Sequence, residues 1–129
     1  MSEHNELGKK GEQLAKEHLM AKGYSIIDLN YRAGKAEVDI IAKIGDTYVF
    51  AEVKTRTSEH YGLPESFVSN KKQKLFAQAA EAFCEINHHT DIEIRYDILS
   101  VIINQYVESV YHIEDAFFPN NLGLKQCPT

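Results

Sequence analysis

The sequence has no tryptophan, three prolines, two cysteines and no long apolar run. No stretch approaches the ~18 apolar residues of a membrane-spanning helix. The start, "MSEHNELGKKGEQLAK", is polar and has no hydrophobic signal core. These absences predict a cytoplasmic protein with no membrane partner. Cys84 and Cys127 lie far apart in sequence, in no metal-ligand spacing. They read as reduced thiols, with Cys84 a small core residue. There is no internal repeat or low-complexity run, and the aromatic residues form no exposed stacking platform for single strands. Phe76, Phe83, Phe117 and Phe118 read as core and closing contacts.

Positive charge is also short. Fourteen Lys and Arg face nineteen Asp and Glu, a formal net charge of -5. That balance weakens nonspecific affinity for nucleic acid without forbidding a local basic groove. Residues 1–74 hold 12 Lys/Arg and 11 Asp/Glu, and residues 75–129 hold 2 and 8. The basic residues therefore concentrate in the first part of the chain.

The 129 residues suit one domain with one core. We expect that domain over residues 1–118 and a loose tail over 119–129. Apolar residues at helical spacing predict a first helix from about Glu6 to Lys22, stopped by Gly23. Strands are expected at Tyr24–Arg32, Glu37–Ile44 and Thr47–Thr55. Ser58–Ser66 reads as a loop. A second helix starts near Ser69 or Asn70, both good N-caps, and ends around His88 and His89. Strands at Ile92–Ile103 and Tyr106–Ile113 follow. The fold class is α/β, a mixed sheet of about five strands flanked by two main helices, in the order α-β-β-β-α-β-β.

The stretch "AEVDIIAKIGDTYVFAEVKTR", Ala36 to Arg56, is unusual for a core hairpin because it carries Glu37, Asp39, Glu52 and Lys54. Gly45-Asp46 is a good two-residue turn. With that turn, paired numbers sum to 91, so Asp39 faces Glu52 and Glu37 faces Lys54. One strand face then reads Val38, Ile40, Ala42, Ile44 against Val49, Ala51, Val53. The other reads Glu37, Asp39, Ile41, Lys43 against Tyr48, Phe50, Glu52, Lys54. Two carboxylates directly opposed on one face repel. A cation between them relieves this, either Lys54 or a hard divalent ion that prefers oxygen ligands. On the chemistry alone a metal site and a solvated ion cluster stand equal.

Asp39 followed by Glu52-Val53-Lys54 resembles the PD-(D/E)xK nuclease signature. Together with "GEQLAKEHLMAKGY", "KKQKL", "RYDILSV" and "HIEDAF", the hairpin resembles the YraN-like (UPF0102-type) family of small predicted endonucleases, over about residues 8–118. Val38 stands where the signature's name has proline, and Ala36 where the family usually has glycine. The resemblance implies a restriction-endonuclease-like core and a Mg2+-dependent endonuclease (Mn2+ as a substitute) that hydrolyses phosphodiester bonds of DNA, branched or damaged DNA included. It implies Asp39 and Glu52 as metal ligands, with the Val53 carbonyl and Glu12 able to complete the set. Lys54 would orient the attacking water or stabilise charge on the phosphate. Glu37 would orient Lys54.

Lys71, Lys72 and Lys74 crowd the start of the second helix, where free N–H groups suit phosphate. Arg32, Lys35 and Arg56 are expected at the same sheet end as further phosphate contacts, and Gln73 as a contact to substrate or lysine. Such contacts position a nucleic-acid backbone and read no sequence. His112 reads as structural, and Asp97 as a partner of Arg95 or a backbone cap. The alternative function is a non-catalytic nucleic-acid-binding or interaction module that keeps the fold. A homo-oligomer is compatible with the sequence but not indicated by it.

Overall fold

A computed structural model of the chain describes residues 6–58, 68–87 and 93–118. In chain order the elements are α1 (Glu6–Ala21), β1 (Ser25–Ala33), β2 (Ala36–Ile44), β3 (Thr47–Arg56), α2 (Asn70–Asn87), β4 (Glu93–Ile103) and β5 (Glu108–Ile113). The α/β class and the element order are those expected. The expected tail, the Ser58–Ser66 loop beyond Ser58, His88 and His89 lie outside the described residues. Among the described residues no helix is long and apolar enough to cross a membrane.

The five strands form one sheet in the order β1-β2-β3-β4-β5. Neighbours run antiparallel except β3 and β4, which are parallel. A parallel pair needs a crossover connection, and α2 lies in it. The two helices cover opposite faces. Ala15 and Leu19 of α1 cluster with Ile40, Ala42, Val49, Ala51, Leu99 and Val101. Phe76, Ala79, Ala80 and Phe83 of α2 cluster with Val38, Ile41, Phe50, Tyr96 and Ile98. The alternating apolar residues of β3 and β4 feed both clusters, as a central strand covered on two sides must.

Local signals set the element ends. The Ser69 hydroxyl accepts the Lys72 backbone N–H at 3.2 Å and caps α2. Gly23, at φ 96°, ends α1, and the Tyr24 N–H turns back to the Leu19 carbonyl. The β2–β3 turn is Gly45-Asp46, with Gly45 at φ 58°. The register from Ile44↔Thr47 to Ile40↔Ala51 is the expected one.

Beyond that point the structure corrects the hairpin reading. The β2–β3 ladder stops at Ile40↔Ala51, so Asp39 and Glu52 are not a ladder pair. Alternation on β2 also breaks there. Ile41 belongs to the α2-side cluster and Ile40 to the α1-side cluster, but Val38 returns to the α2 side. Across the β1–β2 ladder, between Leu29↔Ile40 and Tyr31↔Val38, Asn30 takes φ 53°. A non-glycine residue in this left-handed region marks a local distortion of the strand. β2 leaves β3 at this kink, and Glu37 pairs with Arg32 of β1 instead of facing Lys54.

Two smaller expectations change as well. Phe117 is buried, but Phe118 is exposed. Cys84 is buried and disulfide-bonded, not reduced. Sequence separation, the ground for expecting a free thiol, does not measure spatial distance. Cys127 lies outside the described residues.

Candidate active site

The place where β2 and β3 part is where the acids gather. With no ladder partner on β2, the Val53 N–H of β3 donates to Asp39 Oδ2 at 2.8 Å. A buried N–H needs an acceptor, so the departure of β2 and the inward turn of Asp39 satisfy the same requirement. Glu52 is only 3% exposed. Its Oε2 receives Lys72 Nζ at 2.8 Å and Lys54 Nζ at 3.3 Å. One carboxylate oxygen thus meets an ammonium from its own strand and another from the first turn of α2.

Neutralisation does not reach Asp39 to the same degree. Burial and the nearby Glu52 charge push its carboxyl from the ordinary range up to about 7. The Val53 N–H opposes this, the Glu12 charge adds to it, and Lys72 again opposes it. Three acids from two strands and a helix therefore share one electrostatic neighbourhood. Such shifts cluster at functional sites, though ion-pair networks also produce them.

Glu12 owes its place to its neighbour. A Cβ on Gly11 would collide with the Thr55 side chain of β3. Only glycine lets α1 lie this close to the strand, and that approach sets Glu12 beside the Asp39–Glu52 level. In sequence Gly11 falls in helical spacing with Leu7, Leu14, Ala15 and Leu19. The small residues of "GKKG" were the available signal for a close crossing.

On the α2 side a cleft of about 340 Å³ is lined by Lys35, Glu37, Asp39, Ser69, Lys71, Lys72 and Leu75. The capped start of α2 opens into it. Of the expected phosphate contacts, Lys35, Lys71 and Lys72 are brought together there. Arg32 instead pairs with Glu37 at 3.4 Å, which removes Glu37 from the role of orienting Lys54. Lys74 is exposed on α2 and Arg56 ends β3; neither lines this cleft. The Gln73 amide donates to the Val68 carbonyl at 3.2 Å and braces the approach to the helix.

The donor set of Asp39, Glu52 and Glu12 carboxylates is all oxygen. That suits a hard cation such as Mg2+. Among the described residues, no three His, Cys, Asp or Glu side chains already converge as a formed metal cluster. Lys72 and Lys54 stand on the acid that would have to turn.

A second buried acid lies on the other face. Asp97 of β4 is fully buried and bonded on every side. Arg95 reaches it at 2.8 Å, His112 Nε2 at 2.7 Å, and the Asp115 N–H at 3.0 Å. Arg95 also reaches the Tyr24 hydroxyl, and Lys22 Nζ lies 3.0 Å from His112 Nδ1. Asp97 both pairs with Arg95 and accepts a backbone N–H, and His112 is structural, as expected.

The sequence matches the Uncharacterised protein family UPF0102 over residues 11–101. The chain belongs to this family. A UPF0102 protein of Christiangramia forsetii is 50% identical over 118 residues, covering 92% of this chain and 98% of that one. A UPF0102 protein of Flavobacterium psychrophilum is 44% identical over the same shares of the two chains. One of Geobacter metallireducens is 41% identical, covering 91% and 97%. Among solved structures, SfsA of Pyrococcus furiosus in complex with Ca2+ superposes at a TM-score of 0.35 with 13% identity, covering 84% of this chain and 62% of that one. A likeness at that level carries no argument about function.

Proposed function

We propose that this UPF0102 protein is a divalent-metal-dependent endonuclease of the PD-(D/E)xK type, acting on the phosphodiester backbone of DNA. The observation that carries the reading is the Asp39–Glu52 pair. It is a buried Glu52 beside a half-buried Asp39 whose carboxyl is pushed up to about 7, first by burial and then by the Glu52 charge, next to a lysine-lined cleft. A soluble domain gains no stability from such an arrangement, so a ligand that neutralises it is its natural explanation.

Asp39 and Glu52 would hold Mg2+, with Glu12 and the Val53 carbonyl as further ligands. When bound, the ion supplies Lewis acidity, an activated water and a template for the phosphate. The chain supplies the rest. Lys54, held by its own strand against Glu52, is placed to stabilise charge developing on the phosphate. Lys35 and Lys71 bind flanking phosphates in the cleft. The start of α2 lines the cleft, and the positive end of its dipole favours an anion. Nothing in this set reads a base edge, so the site acts on the backbone and its shape.

The test is cleavage of labelled single-stranded, duplex, flap and four-way-junction DNA with Mg2+, Mn2+ or EDTA. Asp39→Ala and Lys54→Ala run beside wild type. Metal-dependent cutting lost in both variants supports the reading. DNA binding without cutting, unchanged by Asp39→Ala, points instead to a non-catalytic binding module.

A further inference from the structure

Lys72 distinguishes itself from every other lysine near the site. Its ammonium lies 2.8 Å from Glu52 Oε2, closer than that of Lys54 at 3.3 Å on the same oxygen. A carboxylate oxygen has two lone pairs, and here two ammoniums face it. A divalent ion that binds this oxygen meets two like-charged neighbours at contact distance.

The two lysines are not equally free to move. Lys54 belongs to β3, two residues from Glu52 on the same strand. Lys72 reaches across from the first turn of α2, where the helix dipole disfavours a cation. Its side chain is 37% exposed and also lines the cleft with Lys35 and Lys71. It therefore has a second place for its charge, among the groups suited to phosphate.

We infer that Lys72 is a displaceable counter-cation, which neutralises Glu52 in the metal-free protein and passes to a substrate phosphate when a divalent ion takes that oxygen. This rests on the reading of Glu52 as a metal ligand. Metal and nucleic acid then help each other bind. The ion frees Lys72 for the phosphate, and the phosphate keeps Lys72 away from the ion. Such coupling is reciprocal. Without substrate, the protein holds metal weakly.

The test is calorimetric titration of Mn2+ alone into wild type, Lys72→Met, Lys71→Met and Lys72→Arg. Methionine keeps the length of the stem and a good helix propensity. Loss of a part-buried charge-assisted contact that competes with the ion raises Mn2+ affinity in Lys72→Met on the order of tenfold. Lys71→Met removes an exposed charge in the same cleft and shifts affinity by about twofold or less. Lys72→Arg stays near wild type. Tighter binding confined to Lys72→Met supports the inference, even where wild type gives no heat. Wild type and Lys72→Met binding Mn2+ equally overturns this inference alone, as does an equal gain in Lys71→Met. No binding by any of them overturns it together with the metal-site reading. If Lys72→Met loses its circular dichroism, Lys72→Gln takes its place.

Discussion

The molecule carries two buried acidic centres, one on each face of its sheet, and they are solved in opposite ways. At Asp97, burial by itself would raise the carboxyl. Hydrogen bonds from His112, Arg95 and the Asp115 N–H outweigh it and hold the group below the usual carboxylate range. Arg95 is raised in turn: burial works against its charge, but its bonds to Asp97 and Tyr24 prevail. At Asp39, one backbone N–H and a shared lysine do not offset burial and a second carboxylate, and the group is raised. A buried charge with a complete set of partners is structure. A buried charge left short of partners is capacity for something that binds.

The comparison breaks most severely at Asp97. Asp97→Ala takes the close carboxylate away from Arg95 and His112, leaving Arg95 only Glu114 at 3.8 Å, and should cost about 3–5 kcal/mol. Urea denaturation measures it, as a lowered midpoint at unchanged slope. The opposite sign is expected at the other centre. Asp39→Asn should stabilise the metal-free protein by about 2 kcal/mol at pH 8, by removing a carboxylate ionised against Glu52. The sign follows from the raised value. Asp39 contributes its stability in the protonated form, fully below about pH 4 and lost as pH rises through about 7. The gain from Asn should therefore fade toward pH 4. A gain that is flat from pH 4 to 8 would show that Asp39 does not carry this charge strain. The smallest effect is at Ser69. Ser69→Ala removes the cap of the helix that delivers Lys72, at about 1 kcal/mol. Hydrogen exchange should quicken at the start of α2 and leave β4 unchanged.

The fold was largely legible because its signals are local. Gly45-Asp46, the Gly23 stop, the Ser69 cap and the change of period between helices and strands each act over a few residues. The acids and lysines of the site were legible by type and spacing, and the family resemblance ordered them. What escaped was geometry that depends on three elements meeting. Strict alternation extended the hairpin register through Asp39 to Glu37, but the ladder ends at Ile40↔Ala51, beside the kink at Asn30. Glu37 then falls to Arg32, a partner on a third strand that no pairing of β2 with β3 could reveal. Lys72 read as one of three lysines suited to phosphate, because helix spacing does not say which of them points at Glu52. The closeness of Gly11 to Thr55 joins residues 44 positions apart, and no periodicity reports on it.

The parallel β3–β4 pairing also bears on the order of assembly. The β2–β3 hairpin is local, closed by a two-residue turn, and hairpins form in about 1–10 μs. The β3–β4 ladder runs from Thr47↔Glu93 to Arg56↔Ile102 and closes a long loop that contains α2, the slow kind of contact. Asp39 and Glu52 therefore approach each other early, while Lys72 arrives with the crossover. The mutual repulsion of the two acids opposes the hairpin until then. Refolding should be faster at pH 5 than at pH 8 in a rapid-mixing experiment, and Asp39→Asn should remove the difference.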